Sequence, residues 1–294
     1  MYRRIVLESF AMDSQVRHAS ALVTIMAVSC DLRRSGPAES YYVNATWIGF
    51  PLTGVFSIHE RNEEHVIHPA LGVVFGHGAE YRMSHPTDDG DTGLVLGFAP
   101  GVAEEALAAG REHIQVTSLD LRLRYAVGLL MNAIDRGDEE LAVDEMALAL
   151  LRGLAARVAT APTCSTATRA RRRVARVRTL LAERPDVRWT LAELGRSVGW
   201  SPFHLAHQFR VQTGTSVHQY LAVLRTAAAL RRIEAGETSL AAVAADLGFA
   251  HHSHLTATLR RRLGVTPRMI RARLRDGPAI GSPSGVAPAG IGQR

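Results

Sequence analysis

The spacing of apolar residues changes character about a third of the way along the chain. Segments 21–28 and 45–50 are rich in Val, Ile, Thr and Trp, and 54–59, 71–75 and 93–98 are short apolar runs with Pro, Gly or Asp in the gaps. Runs of this length between turn residues predict β-strands, and several in succession predict a sandwich or small barrel. From Gly101 the period lengthens. Residues 119–134 and 139–158 carry apolar side chains three and four apart, which predicts two amphipathic helices, the second with Asp138 as its N-cap. Residues 159–168 (ATAPTCSTAT) are small and polar with one Pro and predict a linker. Residues 169–274 are helical in period throughout. Residues 277–294 are rich in Gly, Pro, Ala and Ser and predict a disordered tail. The expected organisation is therefore 1–158 β-rich with two helices, 159–168 linker, 169–276 all-α and 277–294 tail.

The helical half repeats itself. Leu191-Ala-Glu-Leu194 and Val198-Gly199-Trp200 recur 49 residues later as Leu240-Ala-Ala-Val243 and Leu247-Gly248-Phe249. After one extra residue, Leu205, Phe209, Gly214 and Ser216 recur as Leu255, Leu259, Gly264 and Thr266. Each unit has a short helix, a Gly suited to a left-handed turn, an aromatic, and a second helix ending before Gly. Thr190-Leu-Ala-Glu193 is a capping box, and Ser201-Pro202 pairs an N-cap with the residue favoured at the first helical position. This is the grammar of a helix-turn-helix, written twice, at about 190–213 and 239–263. Such a corner holds its second helix clear of the body, where it fits the DNA major groove. Any helical bundle contains corners, but two copies at matching spacing are much more specific.

Charge strengthens that reading. Residues 1–165 hold 13 Arg against 21 acidic residues, a net of −8; residues 166–276 hold 20 Arg against 7, a net of +13. Lysine is absent. Coding bias would account for Arg over Lys but not for the acids avoiding one half, so the basic half is expected to meet a polyanion. At 294 residues the length fits about two domains. The longest apolar candidate for a membrane span, 125–134, is too short, residues 1–10 lack a leader pattern, and Cys30 and Cys164 lie far apart. A cytoplasmic protein with no membrane partner is expected.

Residues 190–271 resemble the DNA-binding domain of the AraC/XylS-type transcription regulators. The likeness is carried by Leu191 to Trp200, Ser201-Pro-Phe-His-Leu205, Phe209, Thr213-Gly-Thr-Ser216 and Tyr220. It continues through Ile233-Glu-Ala-Gly236, Ala245-Asp-Leu-Gly-Phe249, Ser253-His-Leu255 and Arg260-Arg-Arg-Leu-Gly-Val-Thr-Pro267. The resemblance implies two helix-turn-helix units joined by a long helix, about 217–234, with recognition helices at about 202–212 and 252–263. It also implies double-stranded DNA as partner, RNA polymerase as a further one, and no enzymatic activity. Two departures matter. Where the family usually has Arg in an L-x-R-x-F pattern, this chain has His207 and Ala257. Base reading is therefore expected from Phe203, His204, Ala206, His207 and Arg210, and from His252, Ser253, His254, Ala257, Thr258 and Arg261, with Ser201 and Pro202 also at the DNA and Arg260 nearer a phosphate. Each is otherwise an ordinary exposed helix residue. Leu205, Phe209, Leu255 and Leu259 are expected in the core.

On fewer residues, the β-rich half resembles the cupin-like sensing domain that many such regulators carry. The suggestive stretches are Pro51-Leu-Thr-Gly-Val-Phe56, Pro69-Ala-Leu71, Tyr81, His85-Pro86 and Gly90-Asp91. A small-molecule effector pocket between the sheets is expected, with Trp47, Phe56, Phe75 and Tyr81 as lining, although strand aromatics are more often plain core. Histidines cluster here (His59, His65, His68, His77, His85), but there is no His-x-His followed by Glu. His65 and His68, three apart on a strand, would face opposite sides, so no metal or other cofactor is expected. Leu129, Leu130, Ile134, Leu148, Leu150 and Leu151 on the two helices would cover either a core or the partner in a homodimer. The expected function is a sequence-specific, effector-responsive transcription regulator. The alternatives are a cupin-like metal-dependent enzyme fused to a DNA-binding module, which needs a metal site, and a nonspecific architectural DNA protein.

Overall fold

The computed structural model of the protein describes residues 13–31, 35–37, 40–61, 63–107, 113–159 and 169–276, with side chains through residue 274. Cys164, most of the expected linker (160–168) and the expected disordered tail lie outside them. The β-rich half contains β1 (Asp13–Ala19), β2 (Val23–Cys30), β3 (Tyr41–Tyr42), β4 (Trp47–Thr53), β5 (Phe56–Glu60), β6 (Glu63–Ile67), β7 (Leu71–Phe75), β8 (Glu80–Ser84), β9 (Asp91–Phe98) and β10 (Ile114–Ser118). A six-stranded sheet runs β1-β2-β9-β4-β7-β10 and a four-stranded one β3-β8-β5-β6, with antiparallel pairing throughout. The five apolar runs of the sequence became β2, β4, β5, β7 and β9, all flanked on both sides in their sheets.

The strands that the sequence pattern missed are amphipathic or at an edge. On β8, Tyr81 and Met83 point inward and Glu80 and Arg82 outward, an alternation that was legible but short. β1 and β10 are the edges of the larger sheet, where one side of the strand has no neighbour to bury it; β1 is mostly exposed.

The larger sheet is covered on both faces. One face carries Ile25, Ile48, Leu94 and Leu96 against α2 (Leu121–Arg136) and α3 (Glu140–Ala159), which contribute Val127, Leu130, Leu150, Leu151 and Leu154. Between the sheets, Ile58, Ile67, Val73 and Met83 form a second core with Phe56 and Tyr81. A short helix, α1 (Val102–Ala106), precedes β10. Asp138 does not cap α3: its carboxylate takes Arg136 Nε at 3.1 Å and Nη2 at 2.6 Å, and α3 begins two residues later. Leu130, Leu150 and Leu151 are internal core, Ile134 is packed against it, and Leu129 packs toward the helical half, so of the two roles open to these residues, core or partner contact, most take the first.

The helical half is α4 (Arg169–Glu183), α5 (Leu191–Val198), α6 (Pro202–Thr213), α7 (Val217–Glu234), α8 (Leu240–Asp246), α9 (His252–Leu263) and α10 (Pro267–Asp276). Leu194, Val198, Leu205, Phe209, Val217 and Leu221 form one core with Val177 and Leu181 of α4. Val243, Leu255, Leu259 and Ile270 form a second with Leu230 and Ile233 of α7. Leu121 and Tyr125 of α2 belong to that second core, so a helix of the β-rich half completes the second helix-turn-helix unit. No helix among the described residues is long and apolar enough to cross a membrane.

Where α2 crosses α7, a charge is buried. A Cβ on Gly128 would stand 2.2 Å from Glu234 Oε1, so a larger residue there would push the carboxylate out of its present place. Glu234 lies 4.0 Å from Arg124 Nη2, and both side chains are largely buried. Burial pushes the Glu234 carboxyl up to about 7, with Arg124 and Arg231 opposing the shift. A carboxyl raised from 4.5 holds its proton in the folded state after the unfolded chain has lost it. Its contribution to stability is therefore greatest below about pH 4.5, falls as pH rises, and levels off above about 7. We expect Glu234→Gln to flatten the fall in melting temperature between those limits. An unchanged profile would show that the carboxyl titrates normally.

Candidate nucleic-acid interface and cavity

Capping sets where each recognition helix begins. Thr190 and Glu193 form the capping box of α5, with Thr190 N donating to Glu193 Oε2 at 2.8 Å and Glu193 N to Thr190 Oγ1 at 3.2 Å. Gly199, at φ +67°, ends α5 in the left-handed region, and Ser201 accepts His204 N at 3.2 Å to start α6 at Pro202. In the second unit Ser239 caps α8, Gly248 makes the turn at φ +70°, and His251 caps α9 through Nδ1, which accepts His254 N at 3.1 Å. A histidine cap was not foreseen, since Ser, Thr, Asp and Asn dominate that role.

The duplication persists in three dimensions. The aromatic after each turn glycine packs edge-on against a histidine of the following helix: Trp200 on His204 at 4.8 Å and Phe249 on His254 at 5.6 Å between ring centroids. Leu205, Phe209, Leu255 and Leu259 are buried, as their spacing required. Each helix then turns an equivalent stripe outward. In α6 it is Phe203, His207, Arg210 and Val211; in α9 it is Ser253, Ala257, Arg260 and Arg261, all exposed. Ser201, Pro202, His204, His252 and His254 are exposed around the helix starts, and Ala206 is half-buried. Thr258 must be withdrawn as a base-reading candidate: it is 6% exposed beside Leu259, on the face turned to the core. Val211 was overlooked because an apolar residue on an amphipathic helix reads as core, yet it is 65% exposed and Phe203 is 85% exposed.

The cavity lies between the sheets of the β-rich half. Its volume is about 110 Å³, and Trp47, Phe56, Phe75 and Tyr81, the four residues named from sequence, all lie on its wall. Met26, Val28, Met83 and Leu94 extend the apolar lining, and Asp91 is its charged member. Burial raises the Tyr81 hydroxyl far above its ordinary range, so it stays protonated.

His59, His65 and His68 serve structure. His59 bonds Ser84 Oγ at 2.6 Å, and His65 faces Glu63 at 3.7 Å. His68 turns to the Tyr220 hydroxyl, so it does not converge with His65. Burial lowers all three imidazoles, His68 most, where nearby Arg178 adds to the effect. Arg178 also donates from Nε to Tyr220 at 3.0 Å and from Nη2 to the Val66 carbonyl at 3.2 Å. The β6–β7 corner is thus fastened to α4 and α7.

A β-sandwich with two covering helices, followed by two successive helix-turn-helix units, defines a protein with a double helix-turn-helix DNA-binding domain. Residues 194–273 match the family model described as a helix-turn-helix domain, and this C-terminal part of the chain is a domain of the AraC type. A Streptomyces antibioticus protein described as an AraC-like transcription regulator is 33% identical over 94 residues, covering 32% of this chain and 31% of that protein. An HTH-type transcriptional regulator of Mycobacterium tuberculosis is 30% identical over 81 residues, covering 28% and 31%. The chain thus spans about a third of the length of these curated relatives. Among solved structures, ToxT from Vibrio cholerae with a bound unsaturated fatty acid is 10% identical, covering 86% of this chain and 96% of that one at a TM-score of 0.39. A DNA-binding transcriptional dual regulator from Escherichia coli K-12 is 25% identical, covering 39% and 99% at a TM-score of 0.33.

The two stripes generate a prediction that separates apolar from polar reading. Phe203, 85% exposed, would touch thymine methyl groups if α6 enters the major groove. On a site selected from random DNA, replacing the contacted thymines by uracil should weaken the wild-type protein about fourfold, the worth of one methyl at roughly 0.8 kcal/mol. Phe203→Ala should bind both DNAs alike. His207→Arg or Ala257→Arg should change the preferred base at one position, whereas Arg260→Ala should weaken specific and nonspecific sites alike. A methyl effect that survives in Phe203→Ala, or base preferences identical across these variants, would place the reading surface elsewhere.

Proposed function

We propose that the protein is a sequence-specific DNA-binding transcription regulator whose β-sandwich receives a small-molecule effector. The observation that carries this reading is the pair of register-equivalent exposed stripes on capped helices, in a half whose net charge is +13. A nonspecific architectural protein has no need of two stripes with different chemistry. In this reading the helices enter successive major grooves of double-stranded DNA on one face of the duplex, about 34 Å apart. Exposed arginines such as Arg188, Arg196 and Arg268 neutralise phosphates.

The apolar cavity, at about 110 Å³, is smaller than the roughly 150 Å³ that holds benzene, so it supports only a very compact apolar effector. The signal has two physical routes: His68 precedes β7, whose Val73 and Phe75 line the cavity, and bonds Tyr220 of α7; and α2 joins the second unit's core. Two copies would pair through the outer side of α3, where Leu141 is 69% exposed. The enzyme alternative gains nothing from the His65 and His68 pair.

Genome-wide mapping of bound DNA in the source cell tests the reading directly: it should return a short recurrent motif upstream of genes. With the purified full-length chain, affinity for that motif should fall by orders of magnitude between roughly 50 and 200 mM salt, as displacement of several counterions requires. Binding that ignores salt, or occupancy without a shared motif, would refute it.

A further inference from the structure

One wall of the cavity ends in a polar corner. Along the β2/β9 pairing, Met26 faces Val95, Val28 faces Gly93 and Cys30 faces Asp91. Directly opposed residues project from the same sheet face, so the Cys30 thiol and the Asp91 carboxylate share a side. His85 completes the corner, held by two backbone bonds to Ser35: Ser35 N to His85 O at 3.0 Å and His85 N to Ser35 O at 3.2 Å. One ligand atom from each of Cys30, His85 and Asp91 lies within 4.8 Å of the other two, and all three residues are buried.

Two features set this corner apart from an ordinary buried ion pair. His85 Nε2 and Asp91 Oδ2 stand 3.1 Å apart with side chains 5% and 2% exposed, yet neither atom has a hydrogen-bond partner of acceptable geometry. Buried polar atoms are rarely left so, and a buried imidazole nitrogen and carboxylate oxygen 3.1 Å apart, with a thiol within reach of both, are spaced to share an ion. The other ring nitrogen, Nδ1, lies 3.4 Å from Ser35 Oγ, the kind of outer partner that orients a metal-binding imidazole. The backbone also fixes the corner. A Cβ on Gly54 would stand 2.6 Å from Asp91 Cβ, and one on Gly90 would stand 2.7 Å from the Cys30 carbonyl oxygen; both glycines have positive φ.

We propose that Cys30, His85 and Asp91 bind one zinc-class divalent ion, with its fourth coordination position turned to the cavity that Asp91 lines. Thiolate and imidazole together favour zinc-class ions over magnesium or calcium. Three protein ligands plus an open position is an established zinc arrangement. Bonds of about 2.0–2.3 Å in a tetrahedron put ligand atoms roughly 3.3–3.6 Å apart, so closure asks only for small side-chain shifts. On binding, the Cys30 thiol gives its proton to solvent and a sulfur–metal bond forms, with no change of oxidation state. The sequence expectation of no metal rested on the spacing of His65 and His68, and these three ligands come from separate parts of the chain. The site is independent of the DNA-binding reading.

The test uses the full-length chain, stripped with chelator and titrated with Co²⁺ and then Zn²⁺. One equivalent of Co²⁺ should bind with a near-ultraviolet sulfur-to-cobalt charge-transfer band, and Zn²⁺ should displace it and raise the melting temperature. Cys30→Ser should abolish the band, and His85→Gln and Asp91→Asn should each weaken retention tenfold or more. Should those variants not fold, alkylation of the wild type decides: Zn²⁺ should protect Cys30 but not Cys164, as resolved by peptide mass spectrometry. Absence of the band, Cys30 labelling unaffected by Zn²⁺, or equal retention by all three folded variants would overturn the proposal.

Discussion

Helix α2 is packed from two sides, and the arrangement of the molecule depends on that double burial. One side carries Val127, Leu130 and Ala133 into the core beneath the larger sheet; the other carries Leu121 and Tyr125 into the core of the second helix-turn-helix unit. Removing either contact would expose apolar surface worth about 25 cal/mol per Å², so the two halves are coupled through one rigid element. The Glu234 carboxylate, admitted by Gly128, sits in the same contact and makes it costly to ionise.

The helical half shows how a duplicated scaffold keeps its frame while its outward faces diverge. Caps, turn glycines and core anchors repeat closely, because they satisfy the same backbone and packing demands in both units. The outward stripes carry no such demand and have diverged, to Phe203, His207 and Val211 on one helix and Ser253, Ala257 and Arg261 on the other. The L-x-R-x-F arginine is missing from both, with His207 in the first unit and Ala257 in the second.

The β-rich half assembles chemistry that no local pattern announces. The apolar cavity follows from inward-facing residues of two sheets, and its polar corner follows from strand register alone. Antiparallel pairing puts Cys30 against Asp91, and a single bridge to Ser35 brings His85 to them.

The sequence by itself determined the elements whose residues satisfy local demands. The β-rich-then-helical order, the recognition helices starting at Pro202 and His252, the capping box at Thr190 and the four cavity aromatics were all legible, because capping, periodicity and turn chemistry act over a few residues. Tertiary structure decided the rest. Edge strands such as β1 and β10 lack a full set of neighbours and so carry no clear pattern. Thr258 is core and Val211 is surface because helix orientation, not residue type, sets their environment. Asp138 was drawn from capping by Arg136, a choice between two local partners that composition does not rank. The double burial of α2 and the meeting of Cys30, His85 and Asp91 depend on contacts between distant parts of the chain, and a one-dimensional pattern holds no distances between them.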